Sequence, residues 1–396
     1  MYLLPKPKTI KEQDGQMLLC HSTHIVMTKE VAETEMHAAK RLQEAIRQET
    51  GLILPFSVGE VREGDLSLGI AKTLPEQTYE ITIDEKGGQI SGGDGAGVLY
   101  GVETFCQIVQ QCGGILPCVQ IQDAPDMPNR GYYFDQTRGR VLKLEELKKI
   151  ADRMCRYKLN QLQLYVEHTY LFRDFSEMWR DQTPLTAEEI LELDSYCRER
   201  HIELVPSLAS FGHLCTLLST KTYGDLCEME DSWKEPFSFW NRMRYHTINV
   251  SDERSLPLIK KMIAEYMQLF SSNKFNICAD ETFCLGKYKS KKLAEERGVH
   301  RLYIDYVKEL AQFLVENGKI PMFWGDIIWN SPELMKELPE SMICLNWGYA
   351  PEQREDETRA IAQTGAVQYL CPGVCGWNQW ANLIENSYKN ITRMCG

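Results

Sequence analysis

A chain of 396 residues, 43% hydrophobic and 25% charged, is long enough to bury a large core and to hold two domains. Its 56 acidic against 44 basic side chains leave a formal net charge of −12, which argues against nucleic acid and membrane surfaces as partners and favours a neutral small molecule or sugar. The opening Met1-Tyr-Leu-Leu-Pro-Lys-Pro-Lys8 lacks the apolar core of a secretion signal, and no apolar run reaches spanning length, so a cytoplasmic protein is expected.

Residues 1–125 read as a small, non-catalytic α+β domain. A helical pattern covers Val31 to Glu49, with Met36, Ala39, Leu42, Ala45 and Ile46 on one face, and Gly51 is placed to cap it. Short alternating runs at Asp65–Ile70, Tyr79–Ile83 and Gly88–Gly92 predict strands. The glycine cluster Gly92-Gly-Asp-Gly-Ala-Gly97 lacks the lysine and hydroxyl of a phosphate loop and reads as a turn before a helix over Val98–Gln111. The 14 cysteines are mostly scattered singly through apolar segments, without metal-ligand spacing, and read as reduced core residues; Cys371 and Cys375 are the pair to watch.

After the Pro-rich stretch Ile121–Gly131, residues 126–396 alternate apolar strands with amphipathic helices, the signature of parallel strands with helical crossovers. Strands are predicted at Tyr132–Arg138, Gln161–His168, Glu203–Ser210, Lys274–Asp280, Ile320–Asp326, Ser341–Trp347 and Val367–Val374. Helices are predicted near 143–157, 186–200, 254–271, 300–317 and 352–363. The fold class is α/β, a (β/α)8 TIM-type barrel with the eighth strand missing from this chain, which stops inside its seventh helix. Such barrels carry their sites at the C-terminal strand ends. Here those ends present Asp135 and Arg138, Glu167 and His168, His213, Asp280 and Glu281, Trp324 and Asp326, Trp347 and Tyr349, then Tyr369 and Trp377. Acids and aromatics converging on one mouth suit a sugar, whose apolar faces stack on rings while its hydroxyls meet charges.

On these residues the chain resembles the family 20 glycoside hydrolases, the β-N-acetylhexosaminidases, in particular a bacterial subgroup. The resemblance is carried by Leu99-Tyr-Gly-Val-Glu-Thr-Phe-Cys-Gln107, by Arg130-Gly-Tyr-Tyr-Phe-Asp-Gln-Thr-Arg138, by Tyr157-Lys-Leu-Asn160 and by the segment ending in Asp280-Glu281. Departures are Glu167 where the family's second strand exits with His-x-x-Asp, Phe211-Gly-His213 in place of Pro-Gly-His, and Cys278 for a glycine before the acid pair.

Two-carboxylate retaining glycosidases place the groups about 5–5.5 Å apart across the bond. Consecutive side chains such as Asp280 and Glu281 are expected to diverge, so the substrate's 2-acetamido oxygen is the alternative nucleophile, and the resemblance implies that route. It implies a retaining exo-β-N-acetylhexosaminidase acting through an oxazolinium ion on glycans with terminal N-acetylglucosamine or N-acetylgalactosamine. Glu281 would be the general acid and then base, and Asp280 would orient the acetamide. His213 would bridge Glu167 and Glu281, Arg138 would hold hydroxyls, and Tyr369 would donate to the acetamide oxygen. Trp324, Trp347 and Trp377 would wall the sugar, and Asp326 completes the binding set. No cofactor or metal is expected. Two alternatives stand beside this: a catalytically silent sugar-binding barrel or incomplete fragment, and a two-carboxylate glycosidase with Asp326 as nucleophile.

Overall fold

The computed structural model describes residues 1–352, 355–374 and 380–396, and the chain divides into two compact units. The first comprises Met1–Tyr132, Lys143–Leu162 and Glu192–Leu204; the second comprises Tyr133–Leu142, Gln163–Leu191 and Val205–Gly396. No helix among the described residues is long and apolar enough to cross a membrane.

The first unit is built on a seven-stranded sheet. Its strands are β1 (Thr9–Leu18), β2 (Ile25–Met27), β3 (Phe56–Val58), β4 (Leu66–Ile70), β5 (Tyr79–Asp84), β6 (Gly87–Gly92) and β7 (Ile115–Asp123), in the order β1-β7-β5-β6-β4-β2-β3. Pairing is antiparallel among β1, β7, β5 and β6 and parallel among β6, β4, β2 and β3. The helix Gly95–Cys112 lies on this sheet with Val98, Leu99, Val102, Phe105, Ile108 and Val109 wholly buried. The glycine cluster is a turn, as expected, and Gly92, Gly93 and Gly97 lie against backbone: a Cβ on Gly93 would lie 1.9 Å from the carbonyl oxygen of Pro75. Asp94 caps the helix by accepting the N–H of Gly97 at 2.7 Å.

Two expectations need correction here. The helix predicted over Val31–Glu49 is two helices, Lys29–Thr34 and Met36–Thr50, because Glu35 leaves helical geometry (φ −122°, ψ 30°) and its buried carboxylate meets Nε2 of His201 at 2.8 Å. A long-range contact overrides a continuous local pattern. The second helix ends, as read, at Gly51 with φ 77°. The structure also adds four strands to the three predicted, β1, β2, β3 and β7; of these β1 is a polar, largely exposed edge strand paired only with β7, which leaves it no apolar alternation.

The second sheet is an all-parallel half-barrel of seven strands in strict chain order: β8 (Gly131–Asp135), β9 (Gln161–Val166), β10 (Glu203–Leu208), β11 (Lys274–Asn276), β12 (Ile320–Trp324), β13 (Ile343–Gly348) and β14 (Val367–Pro372). The sheet curls around its inner face. Tyr133 on β8 packs its ring edge-on to Trp324 on β12, 4.9 Å between centroids, although β9 to β11 lie between them in the order. The hydroxyl of Tyr133 also meets Ser207 Oγ on β10 at 3.0 Å. Helices at Ser255–Tyr266, Val299–Glu316, Glu355–Ala362 and Ile384–Cys395 follow β10, β11, β13 and β14, and the 3-10 turns Ile328–Asn330 and Pro332–Glu337 follow β12. The cysteines among the described residues are free thiols.

Candidate active site

The acid pair sits beyond the end of β11, not within it: the strand predicted over Lys274–Asp280 stops at Asn276. Cys278, Ala279 and Glu281 then take positive φ of 57°, 63° and 49°, which non-glycine residues rarely adopt. Side-chain hydrogen bonds hold this path. Asn276 Oδ1 accepts the Cys278 N–H at 2.8 Å, and the buried Tyr303 hydroxyl donates to the Ala279 carbonyl at 3.0 Å. The amide of Trp324 reaches the Cys278 carbonyl at 2.9 Å.

The irregular backbone corrects a second expectation. The side chains of Asp280 and Glu281 do not diverge; they converge on one atom, His213 Nε2, at 3.3 Å from Asp280 Oδ2 and 3.2 Å from Glu281 Oε2. In an extended strand neighbouring side chains point to opposite faces, and the left-handed turn at Glu281 cancels that alternation. His213, itself at φ 60°, comes this close because Gly212 precedes it: a Cβ there would lie 2.6 Å from the Asp280 carbonyl oxygen. Burial alone would favour a neutral ring, but the charge of Asp280, contacts to Asp280 and Glu281 and the charge of Glu167 raise His213 to about 10. A value that high keeps the ring protonated near neutral pH. Asp280 is held below its usual range, burial being outweighed by His213 and Arg138.

Glu167, at the exit of β9, is 3% exposed and does not take the bridging place expected for it. Its Oε1 accepts the Tyr165 hydroxyl at 2.9 Å, and its Oε2 accepts Arg242 Nη2 at 2.9 Å. Burial opposes its charge, and Arg242, Arg138 and His213 outweigh that cost and keep it ionised. Glu167 therefore acts on His213 through its field, while Asp280 and Glu281 share the ring's nitrogen.

Arg138 is fixed by Asp135, whose Oδ2 accepts its Nε at 2.6 Å and whose Oδ1 accepts its backbone N–H at 2.9 Å. Its guanidinium lies over the Tyr165 ring at 4.9 Å. Trp324 is nearly buried against Tyr133, and Trp347 stacks on Tyr349 with centroids 5.1 Å apart. Tyr369 is half-buried on β14 in register with Leu345. Trp377 and Cys375 lie outside the described residues. Asp326 follows β12, and its Oδ2 accepts the backbone N–H of Glu281 at 3.0 Å.

Two contributors went unnamed as site residues in the sequence. Arg242 belongs to the short helix Phe239–Arg244, 75 positions from Glu167, and no local pattern marks it. Tyr349 was visible as a strand-exit residue; desolvation and then the charge of Asp280 push its phenol up, which puts it in the field of the acid pair. Among the described residues, His213, Asp280 and Glu281 are the group whose ligand atoms, all within 4.8 Å, could surround a cation. A metal there would have to displace the imidazolium proton first, which opposes binding near neutral pH.

A parallel half-barrel that gathers carboxylates, an imidazole, arginines and stacked aromatics beyond its strand ends has its candidate site where (β/α) barrels carry theirs. Comparison with known proteins gives this class its family. Residues 1–124 match the model described as glycosyl hydrolase family 20, domain 2, and residues 128–391 match the family's catalytic domain, so the chain belongs to glycosyl hydrolase family 20. A β-hexosaminidase of Porphyromonas gingivalis is 24% identical over 94% of this chain and 50% of its own length. One from Vibrio furnissii is 26% identical over 70% of this chain and 48% of its own. The chain spans about half the length of these curated relatives. In fold it is similar to the Vibrio harveyi exo-β-N-acetylglucosaminidase solved with N-acetylglucosamine, at TM-score 0.77 and 19% identity over 94% of this chain and 60% of that one.

Proposed function

We propose that this chain is a retaining exo-β-N-acetylhexosaminidase that hydrolyses terminal β-linked N-acetylhexosamine from glycans by substrate-assisted catalysis. The observation that carries the reading is the convergence of Asp280 and Glu281 on one nitrogen of His213. Two carboxylates that share a partner lie side by side, whereas an acid and a nucleophile must address opposite faces of the scissile bond. The remaining candidate nucleophile, Asp326, has one oxygen on a backbone amide and the other without accessible surface. That leaves the substrate's acetamide oxygen to attack the anomeric carbon and form the oxazolinium ion. Membership of family 20, relatives named β-hexosaminidase and a neighbour solved with N-acetylglucosamine support the same choice.

In this scheme Glu281 protonates the leaving oxygen and then takes a proton from the water that opens the oxazolinium. Asp280, kept ionised by His213 and Arg138, accepts the acetamide N–H and balances the positive charge that develops there. The His213 imidazolium aligns both acids, with Glu167 and Arg242 behind it. Arg138, held by Asp135, binds hydroxyls of the terminal sugar, and Tyr369 donates to the acetamide oxygen. Trp324, Trp347 and Trp377 pack around the sugar.

The test is turnover of p-nitrophenyl β-N-acetylglucosaminide against the plain β-glucoside, which lacks the acetamide. Strong preference for the first is expected. Equal turnover removes the acetamide from the mechanism, and sugar binding by calorimetry without turnover leaves a non-catalytic barrel.

A further inference from the structure

Asp326 has no task in that reaction, yet it is placed on the acid's own peptide. The residue is half-buried overall, but its Oδ1 has no accessible surface and, among the described residues, no hydrogen-bond partner, while its Oδ2 accepts the Glu281 N–H at 3.0 Å. That peptide is not relaxed. Three of the four residues from Cys278 to Glu281 have positive φ, a region that costs non-glycine residues about 1 kcal/mol or more each and persists only when the surroundings impose it. Asn276, Tyr303 and Trp324 tie down the residues before the pair, and Asp326 ties down Glu281 itself.

An ionised carboxylate could not rest comfortably in this place. Its charge would be shared with a dry, unpartnered Oδ1 beside Asp280, and an uncompensated buried charge is costly. Desolvation first, and then the charge of Asp280, push the Asp326 carboxyl well above the usual carboxylate range. A neutral carboxyl still accepts the Glu281 N–H through its carbonyl oxygen, so the clamp needs no charge.

We propose that Asp326 is a positioning residue working as a neutral acid: it holds the peptide of Glu281 in the strained conformation that turns the Glu281 carboxyl toward the leaving oxygen. It is neither a nucleophile nor a charged sugar ligand. The proposal rests on the hydrolase reading above and deepens it. Asparagine offers the same carbonyl oxygen in nearly the same shape, whereas alanine offers no acceptor.

The experiment compares wild type, Asp326→Asn and Asp326→Ala for kcat and KM on p-nitrophenyl β-N-acetylglucosaminide, with thermal melts to confirm folding. Asp326→Asn should stay within about threefold of wild type. Asp326→Ala should lose roughly 100-fold in kcat with KM within about threefold, because a misplaced acid costs chemistry and not ground-state binding. If the alanine variant melts below the assay temperature, Asp326→Leu, which keeps the γ-branched shape with methyl groups in place of the acceptor oxygens, takes its place with the same expectation. An asparagine variant as inactive as alanine would show that the charge is required and overturn the proposal. So would an alanine or leucine variant as active as wild type. A silent wild-type protein brings down the hydrolase reading and this proposal with it, whereas an active wild type with either of the preceding results brings down this proposal alone.

Discussion

Buried charge is handled in opposite ways in the two units. In the first, Glu103 is 1% exposed and closed by Arg41 at 2.7 Å, and Lys158 is 5% exposed and closed by Asp123 at 3.2 Å and the Tyr79 hydroxyl at 2.7 Å. Each charge has its own counter-charge. In the second, Asp135, Glu167, Asp280 and Glu281 pair with Arg138, Arg242 and His213, with two carboxylates on a single imidazole nitrogen, and Asp326 Oδ1 has no hydrogen-bond partner among the described residues. Closed pairs fix a packing arrangement. An excess of carboxyl groups over cations keeps protons in play, and that distinguishes a site from a strut.

The comparison breaks if removing charge has the same consequence in both places. Glu281→Gln should produce the largest effect, a loss in kcat of roughly 1,000-fold, within the 100- to 10,000-fold range of general acid–base catalysis, with little change in melting temperature. Steady-state kinetics with a melt on the same sample checks both halves. Asp280→Asn should follow, at roughly 100-fold in kcat, since it removes an electrostatic partner of the developing charge but leaves the proton carrier. A thiazoline inhibitor that mimics the oxazolinium should lose affinity for this variant in parallel.

The third expectation is one of stability against pH. The His213 folded-state value, about 10, lies above its ordinary 6.5, so pairing with Asp280 and Glu281 stabilises the fold fully below about 6.5 and is lost as pH rises through about 10. Glu167 and Arg242 also face this cluster. The melting-temperature advantage of wild type over His213→Gln should therefore be greatest near pH 6 and shrink toward pH 10. An advantage that grows with pH would contradict the imidazolium. The smallest effect should come from the first unit. Glu103→Gln should cost about 2 kcal/mol of stability, less than a fully buried pair because Arg41 stays partly solvated, and leave kcat of the folded protein unchanged. A loss of kcat there would mean that the strut is part of the site.

The parallel strands were legible because their evidence is local. Gln161–Val166, Glu203–Leu208 and Ile320–Trp324 are short apolar runs between amphipathic helices, and the polar or aromatic residues at their exits stand out against them. Asp280, Glu281, His213 and Arg138 could be nominated by position for that reason. The break at Glu35, by contrast, was hidden because its cause, His201, lies 166 positions away. Strand β1 was hidden because an exposed edge has no apolar alternation to display.

By itself the sequence determined that Arg138, Glu167, His213, Asp280 and Glu281 come at or just after the ends of apolar strands, since strand periodicity and apolar content are properties of neighbouring residues. Only the tertiary structure decided how they meet. Positive φ at Cys278, Ala279 and Glu281 runs against the preference of every one of those residues, and it is sustained by Asn276, Tyr303, Trp324 and Asp326. Of these, Tyr303, Trp324 and Asp326 are brought there from elsewhere in the chain by the curled sheet and its helices. The turn of Asp280 and Glu281 onto one imidazole nitrogen, the pairing of Glu167 with Arg242 and the bond from the Glu281 amide to Asp326 are all long-range contacts, and a local pattern cannot record them.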